Sequence, residues 1–297
     1  MSTRTKLLIA LLTWLLTLIL VVGIFGWARL DNEEFQPQNE FKLDTWVNLP
    51  GPLDLNKGVL YVVLAALLTI VTWMWVANRM QARPNRTQTA VETLYGLMRD
   101  NIAGGNMDRA MARKWFVYIG TLFLFIWYSN LIGYIPLPTN SQEKFDLFGV
   151  QVPAFALFAA TANISVPLAL ALVSWLSYNV EGIRAKGFVG YIKGLIPAGV
   201  PNWLRPIMLV LELLSHFMRL ISLSVRLFAN ILAGHLIILF MAGGLVVLLG
   251  IEGLGVLTLP FGFAIFLFEV GLVATLQAFI FATLAAIYLG EATAEHH

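Results

Sequence analysis

Six ionisable side chains stand inside the last two long apolar stretches of the chain: Glu212, His216, Arg219, Arg226, His235 and Glu269. Polar Ser215, Ser222, Ser224, Asn230 and Gln277 accompany them. A charge at the centre of a membrane helix costs about 2.5–3.5 kcal/mol on insertion scales, so such groups default to a functional reading. Guanidinium stays protonated at every biological pH. Arg226 therefore cannot pass a proton on, but a fixed cation holds a facing carboxylate ionised and blocks a proton leak. Carboxyl and imidazole groups do exchange protons, so Glu269 and His235 can load and release them. One fixed cation and two titratable groups are what a proton path with a barrier requires.

The spacing orders these groups. At about 100° per residue, with Arg226 at zero, Asn230 falls at about +40° and Ser222 at about −40°. Arg219, Ser215, Glu212 and Ala233 fall at about +20°, −20°, +40° and −20°. One side of an apolar helix thus carries a polar stripe, which narrows to small residues beyond Arg226 and must face protein or water. His235 lies at about 180°. A polar group on each side predicts a helix that separates two aqueous compartments. A packed bundle with internal ion pairs, Arg219 or Arg226 against a nearby acid, satisfies the same spacing. The last helix carries Glu269 and Gln277, with Ala274, Ala278, Ala282 and Ala286 at every fourth position. Small residues on one face allow close helix approach, within this chain or against another subunit.

The elements that hold these residues need a membrane. Of 297 residues, 59% are hydrophobic and 12% charged, where ordinary soluble domains carry about 25% charged residues. A net charge of +2 does not point to nucleic acid. The absence of cysteine excludes disulfides and thiol chemistry, and four histidines without cysteine argue against a structural zinc site. No cofactor is expected.

From Leu7 to Ala28 no residue is charged, a run long enough for a bilayer, which takes about 20 residues. That length fits an anchor, since a signal peptide has an apolar region of about 7–15 residues; a long cleaved signal is the alternative. A polar, acidic stretch follows, with Asp31, Glu33, Glu34, Glu40, Asp44 and Asp54. A second span runs from Gly58 to Asn78. The basic segment 79–114 contains Val91, Leu94, Tyr95, Met98 and Ile102 at helical spacing, which predicts an amphipathic helix on the membrane surface. A third span runs from Trp115 to about Ile135, ends at Pro136 and Pro138, and leads into a polar loop with Glu143, Lys144 and Asp146. A fourth runs from about Val152 to Tyr178. A basic loop with Arg184, Lys186, Lys193 and Arg205 follows. From Pro206 to Gly290 the chain reads as two long helices in a hairpin, broken near Gly250 to Gly255 and at Pro260. The fold class is an all-α membrane protein. The positive-inside rule puts segments 79–114 and 179–205 in the cytoplasm, with both termini, and the acidic segment and the Glu143 loop outside.

The segment Ser222-Leu-Ser-Val-Arg226-Leu-Phe-Ala-Asn230-Ile-Leu-Ala-Gly234 resembles the signature of subunit a of F-type ATP synthases. Pro206, Glu212 and Ser215 fall where that family has them. Gln277-Ala-Phe-Ile-Phe-Ala-Thr-Leu resembles its second signature; Asn130-Leu-Ile-Gly133 with Pro136, and Thr161-Ala-Asn163, resemble weaker ones. The resemblance covers Gly58 to the C-terminus. Residues 58–297 then form the family domain, preceded by an acidic external segment, 31–57, and an extra N-terminal transmembrane helix, 1–30.

The resemblance implies a non-catalytic, proton-conducting stator subunit in a bacterial cell membrane. Its long, tilted C-terminal hairpin packs against a ring of c subunits. Two half-channels protonate and deprotonate the ring carboxyls and so couple ion flow to rotation. The other implied partners are b-type peripheral stalk subunits, the remainder of the synthase and membrane lipid. Arg226 is implied as the essential arginine facing the ring, with Asn230 and Gln277 as its polar neighbours. His235 and Glu269 are implied as proton-handling groups, and Asn163, Glu212 and Ser222 as candidate channel-lining residues. Ala229 and Leu220 depart from the family's usual Gly and Pro. Glu269 lies eight residues before Gln277, one more than the family's spacing, and one residue turns a helical side chain by about 100°.

A different ion-coupled transporter or a membrane subunit of a respiratory complex is the competing function; secondary transporters tend to show internal repeats with paired broken helices, and this sequence shows none. A structural scaffold leaves Arg226 and its stripe unexplained. No phosphate-binding loop is found: Gly104-Gly105 lacks the Lys-Ser/Thr such a loop needs. ATP chemistry is therefore expected in partner subunits.

Overall fold

The computed structural model describes residues 41–43, 45–47, 55–81, 83–147, 150–196, 200–246 and 254–294, with Thr5, Leu12, Thr13, Leu15 and Leu16 of the N-terminal segment. Most of the expected first span, most of the acidic segment and the connection at 247–253 lie outside the described residues.

In hydrocarbon a chain must satisfy its own backbone groups, so apolar runs of this length fold as helices. Five helices are long and apolar enough to cross a membrane: Lys57–Arg79, Arg109–Gly133, Ser165–Lys186, Arg205–Gly244 and Thr258–Thr293. The chain divides into two units, Leu43–Ala233 with Glu269–His297, and Met1–Lys42 with Gly234–Phe268.

In the first unit, two short antiparallel strands, β1 (Thr45–Val47) and β2 (Leu55–Asn56), precede helix α1 (Lys57–Arg79). The side chain of Asn56 accepts a hydrogen bond from the Val59 amide and caps α1. Helix α2 (Arg86–Gly96) is capped by Asn85 and runs on through a π-helical turn, Leu97–Ala103, into Gly104–Asn106. This is the amphipathic segment expected from spacing. Its inner residues Met98 and Ile102 are buried, and Tyr95 meets Phe116 edge-on, so it lies against the next helix. That helix, α3 (Arg109–Gly133), is capped by Asp108 and packs on α1. Trp73 Nε1 donates to Thr121, and Thr72 shares a hydrogen bond with Tyr128.

Helix α3 ends at Gly133, just before Pro136, while Pro138 lies in a strand, and the expected polar loop is a β-hairpin. Strand β3 (Leu137–Leu147) pairs antiparallel with β4 (Val150–Ala156). The fourth span is correspondingly displaced. It begins at Ser165, not Val152, and continues past Tyr178 to Lys186 as helix α4. The start is local chemistry: Asn163 Oδ1 accepts the Ser165 amide, and Pro167 falls in the first turn, where a helix needs no donor. Arg184 and Lys186 extend the far end, where cations suit the helix dipole. Gly187, at φ 70°, turns the chain into short helix α5 (Phe188–Gly194), a conformation that suits a residue without Cβ.

Helix α6 (Arg205–Leu239) follows, and a π-helical turn, Phe240–Gly244, extends it. Helix α7 (Gly255–Phe268) leads through a π-helical turn, Glu269–Val273, into α8 (Ala274–Thr293). In the second unit the Phe240–Gly244 turn packs on α7: a Cβ on Gly262 would lie 3.1 Å from the Met241 Cβ. Pro260, expected as a break, sits inside α7. It lies close to the helix start, where it forfeits a single backbone bond.

Helix α8 is the centre of the first unit. Ala274, Ala278, Ala282, Ala285 and Ala286 are buried, and α8 packs against both α3 and α4. The alanine stripe is therefore a seam within this chain.

Candidate functional site

Helix α6 is divided lengthwise. Leu223, Ser224, Leu227, Ile231, His235 and Ile238 are buried. Ser222, Val225, Arg226, Ala229, Asn230, Ala233 and Ile237 are exposed. On the helical wheel the buried set lies at about +60° to +180° from Arg226, and the exposed set at about −100° to +40°. The polar stripe of Arg226, Asn230 and Ser222 thus lies on the half that the described residues leave uncovered. Its surroundings are apolar: Leu214, Met218, Ile221 and Val225 are exposed as well. Among the described residues no carboxylate pairs with Arg226.

Arg219 behaves differently. Its guanidinium meets Glu291 at 2.9 Å and stands 5.0 Å from the Tyr288 ring centroid, tying α6 to the end of α8. The internal ion pair anticipated for either arginine is made by Arg219. Nearby, His216 is buried. Its Nδ1 shares a hydrogen bond with the Tyr178 hydroxyl at 3.1 Å, and its Nε2 lies 3.8 Å from Glu212. The Trp175 indole donates to the His216 carbonyl at 3.1 Å. Glu212 is half-buried and thus links this cluster to the surface. Tyr191, on the short helix α5, donates to Asn179 at 2.8 Å; burial pushes its phenol up, against the lowering pull of the Arg219 charge.

Glu269 and Gln277 are both buried, at 8% and 6% exposure. The Tyr134 hydroxyl donates to Glu269 Oε2 at 3.1 Å. One turn further along, Asn130 Nδ2 donates to the Ala274 carbonyl at 3.2 Å, and Thr161 donates to Asn130 Oδ1 at 2.7 Å. The Trp127 indole donates to Thr275 at 3.0 Å. The two weaker sequence motifs, around Asn130 and around Thr161, thus meet in one buried network on the last helix. Asn163 stands beside that network, just ahead of α4, where its side chain accepts the Ser165 amide. Tyr134 was not singled out from the sequence. The available signal was a hydroxyl-bearing aromatic in the last turn before Pro136.

The predicted residues therefore form two separate groups. Arg226, Asn230 and Ser222 share an exposed face, and Glu269 and Gln277 lie on a buried one. Among the described residues no hydrogen bond or ion pair joins the two groups. His235, in the other unit, is buried at 2% exposure.

Residues 59–290 match the pattern of the family described as ATP synthase A chain. The chain is 35% identical to the ATP synthase subunit a of Myxococcus xanthus over 254 residues, covering 84% of this chain and 77% of the relative. It is 34% identical to that of Maricaulis maris over 249 residues, covering 82% and 91%. With the subunit a of Anaplasma marginale it shares 32% identity over 266 residues, 88% of this chain and 99% of the relative. Arg226 on an uncovered membrane-helix face, a buried carboxyl on the last helix and a family match over most of the chain agree, and the chain belongs to the ATP synthase A chain family of membrane-sector, proton-translocating subunits.

Proposed function

We propose that this chain is the stator half of a proton-driven rotor. Its α6 face opposes a ring of c subunits, each carrying a carboxyl in mid-membrane. Arg226 holds the facing carboxyl ionised and blocks direct leak between two half-channels. Asn230 and Ser222 supply polar neighbours on the same face, and Gln277 supplies a buried polar group on the last helix. His235 and Glu269 load and unload protons on one side; Glu212 lines the opposite path, and Asn163 stands as a candidate lining residue. The uncovered Arg226 face is the observation that carries this reading. A guanidinium among exposed leucines, methionines and valines needs a partner with a negative charge at that depth. ATP chemistry and the b-type stalk belong to the rest of the complex, and the basic segments face the cytoplasm.

The test compares wild type with Arg226→Ala in vesicles carrying the whole complex. ATP-driven proton pumping is expected to vanish while ATP hydrolysis by the soluble partner survives. Unchanged coupled pumping would reduce Arg226 to a packing residue and remove the mechanism.

A further inference from the structure

Helices α3 and α8 run antiparallel and exchange hydrogen bonds at corresponding levels. On α3 the two donors, Tyr134 and Asn130, are four residues apart, about one α-helical turn. Their acceptors, Glu269 and the Ala274 carbonyl, are five residues apart. The surplus residue falls inside the π-helical turn Glu269–Val273. A single π turn within an α-helix takes up one extra residue, because its hydrogen bonds span five residues rather than four.

The consequence is rotational. Wound as α-helix throughout, the eight residues between Glu269 and Gln277 would set their side chains about 80° apart. With one residue absorbed, seven α steps remain and the difference is about 20°. Both side chains are in fact buried. We infer that the π turn is a register device that returns Glu269 to the Gln277 face, and that Tyr134 is the positioning residue which holds the carboxyl there. A phenol keeps its proton at physiological pH and is a dependable donor. It donates to Oε2, and proton exchange is proposed for Oε1. Asn130, braced by Thr161, pins the helix just beyond the turn. The inference rests on the reading of Glu269 as a proton-carrying group.

The experiment uses the assembled synthase in vesicles, reading proton conduction and its pH profile, with membrane-bound ATP hydrolysis as the measure of assembly. Glu269→Gln tests the underlying role and is expected to lower conduction by at least about tenfold. The double variant Glu269→Val/Val270→Glu moves the carboxyl to seven residues before Gln277 and is expected to be equally inactive. Deleting Val270 removes the surplus residue and is expected to preserve conduction. Tyr134→Phe is expected to lower conduction and to shift the pH of half-maximal conduction by about half a unit or more. If Glu269→Gln conducts normally, the role of Glu269 falls. If it is inactive but the double variant conducts as wild type, the role stands and the register device falls. An assembled but inactive Val270 deletion also overturns the device. Wild-type rate and pH profile in Tyr134→Phe overturn the positioning role.

Discussion

Arg219 and Arg226 stand seven residues apart on one helix, within about 20° of each other around its axis, yet they meet different surroundings. Arg219 reaches Glu291 and the face of Tyr288; Arg226 meets no acid among the described residues. The stripe they share was legible from helical period alone. Their separate roles were not, because Glu291 lies 72 residues further along the chain and only folding brings it near. A buried charge escaped sequence reading for the same reason. Glu181 on α4 is 5% exposed and is paired with Lys114 of α3. Removing one partner strands a buried carboxylate, at a cost of about 1–3 kcal/mol. Lys114→Met should therefore lower the thermal stability of the purified complex. Adding Glu181→Met should restore much of it, since an apolar pair of similar size replaces a buried ion pair at little cost. Equal stability of the single variant and wild type would show that the pair contributes nothing.

At the scale of elements, the long apolar helices and their approximate ends follow from hydrophobic run length, and α1 agrees with its expected span within a residue at each end. The β3–β4 hairpin was less visible. Val152, Phe155 and Ala156 look like the start of a membrane span, and nothing nearby in sequence announces a pairing across Asp146 and Gln151. The π turns were not legible in the hydrophobic pattern, which is read with a fixed period; the one trace was the surplus residue between Glu269 and Gln277. Close approach between elements was visible only as small residues. Gly133 is the sharpest case: a Cβ there would lie 2.4 Å from the Ala159 Cβ and 3.0 Å from the Ala159 nitrogen. Gly133→Ala should cost about 1–3 kcal/mol and reduce recovery of assembled complex. It would also push the end of α3, and Tyr134 with it, away from α8. Wild-type recovery and melting would show that the Ala159 segment moves aside freely.

At the scale of the whole molecule, charge distribution sets orientation. The chain has no cysteine, so single cysteines report on sidedness without background. Arg83→Cys, in the basic segment, should react with a membrane-impermeant maleimide from the cytoplasmic side. Asp146→Cys, on the hairpin, should react from the opposite side. Both positions are exposed. Labelling of both from one side would refute the orientation.

The half-covered state of α6 also bears on the life of the subunit before assembly. On the proposed reading, a chain inserted without an acidic partner presents a bare guanidinium to lipid, at a penalty of about 2.5–3.5 kcal/mol on insertion scales, whereas one docked against such a partner does not. The charge proposed to prevent a short circuit in the finished machine would therefore also mark the orphan. By the same argument it would bias newly made subunits toward capture by an acidic partner and leave uncaptured ones the more weakly inserted.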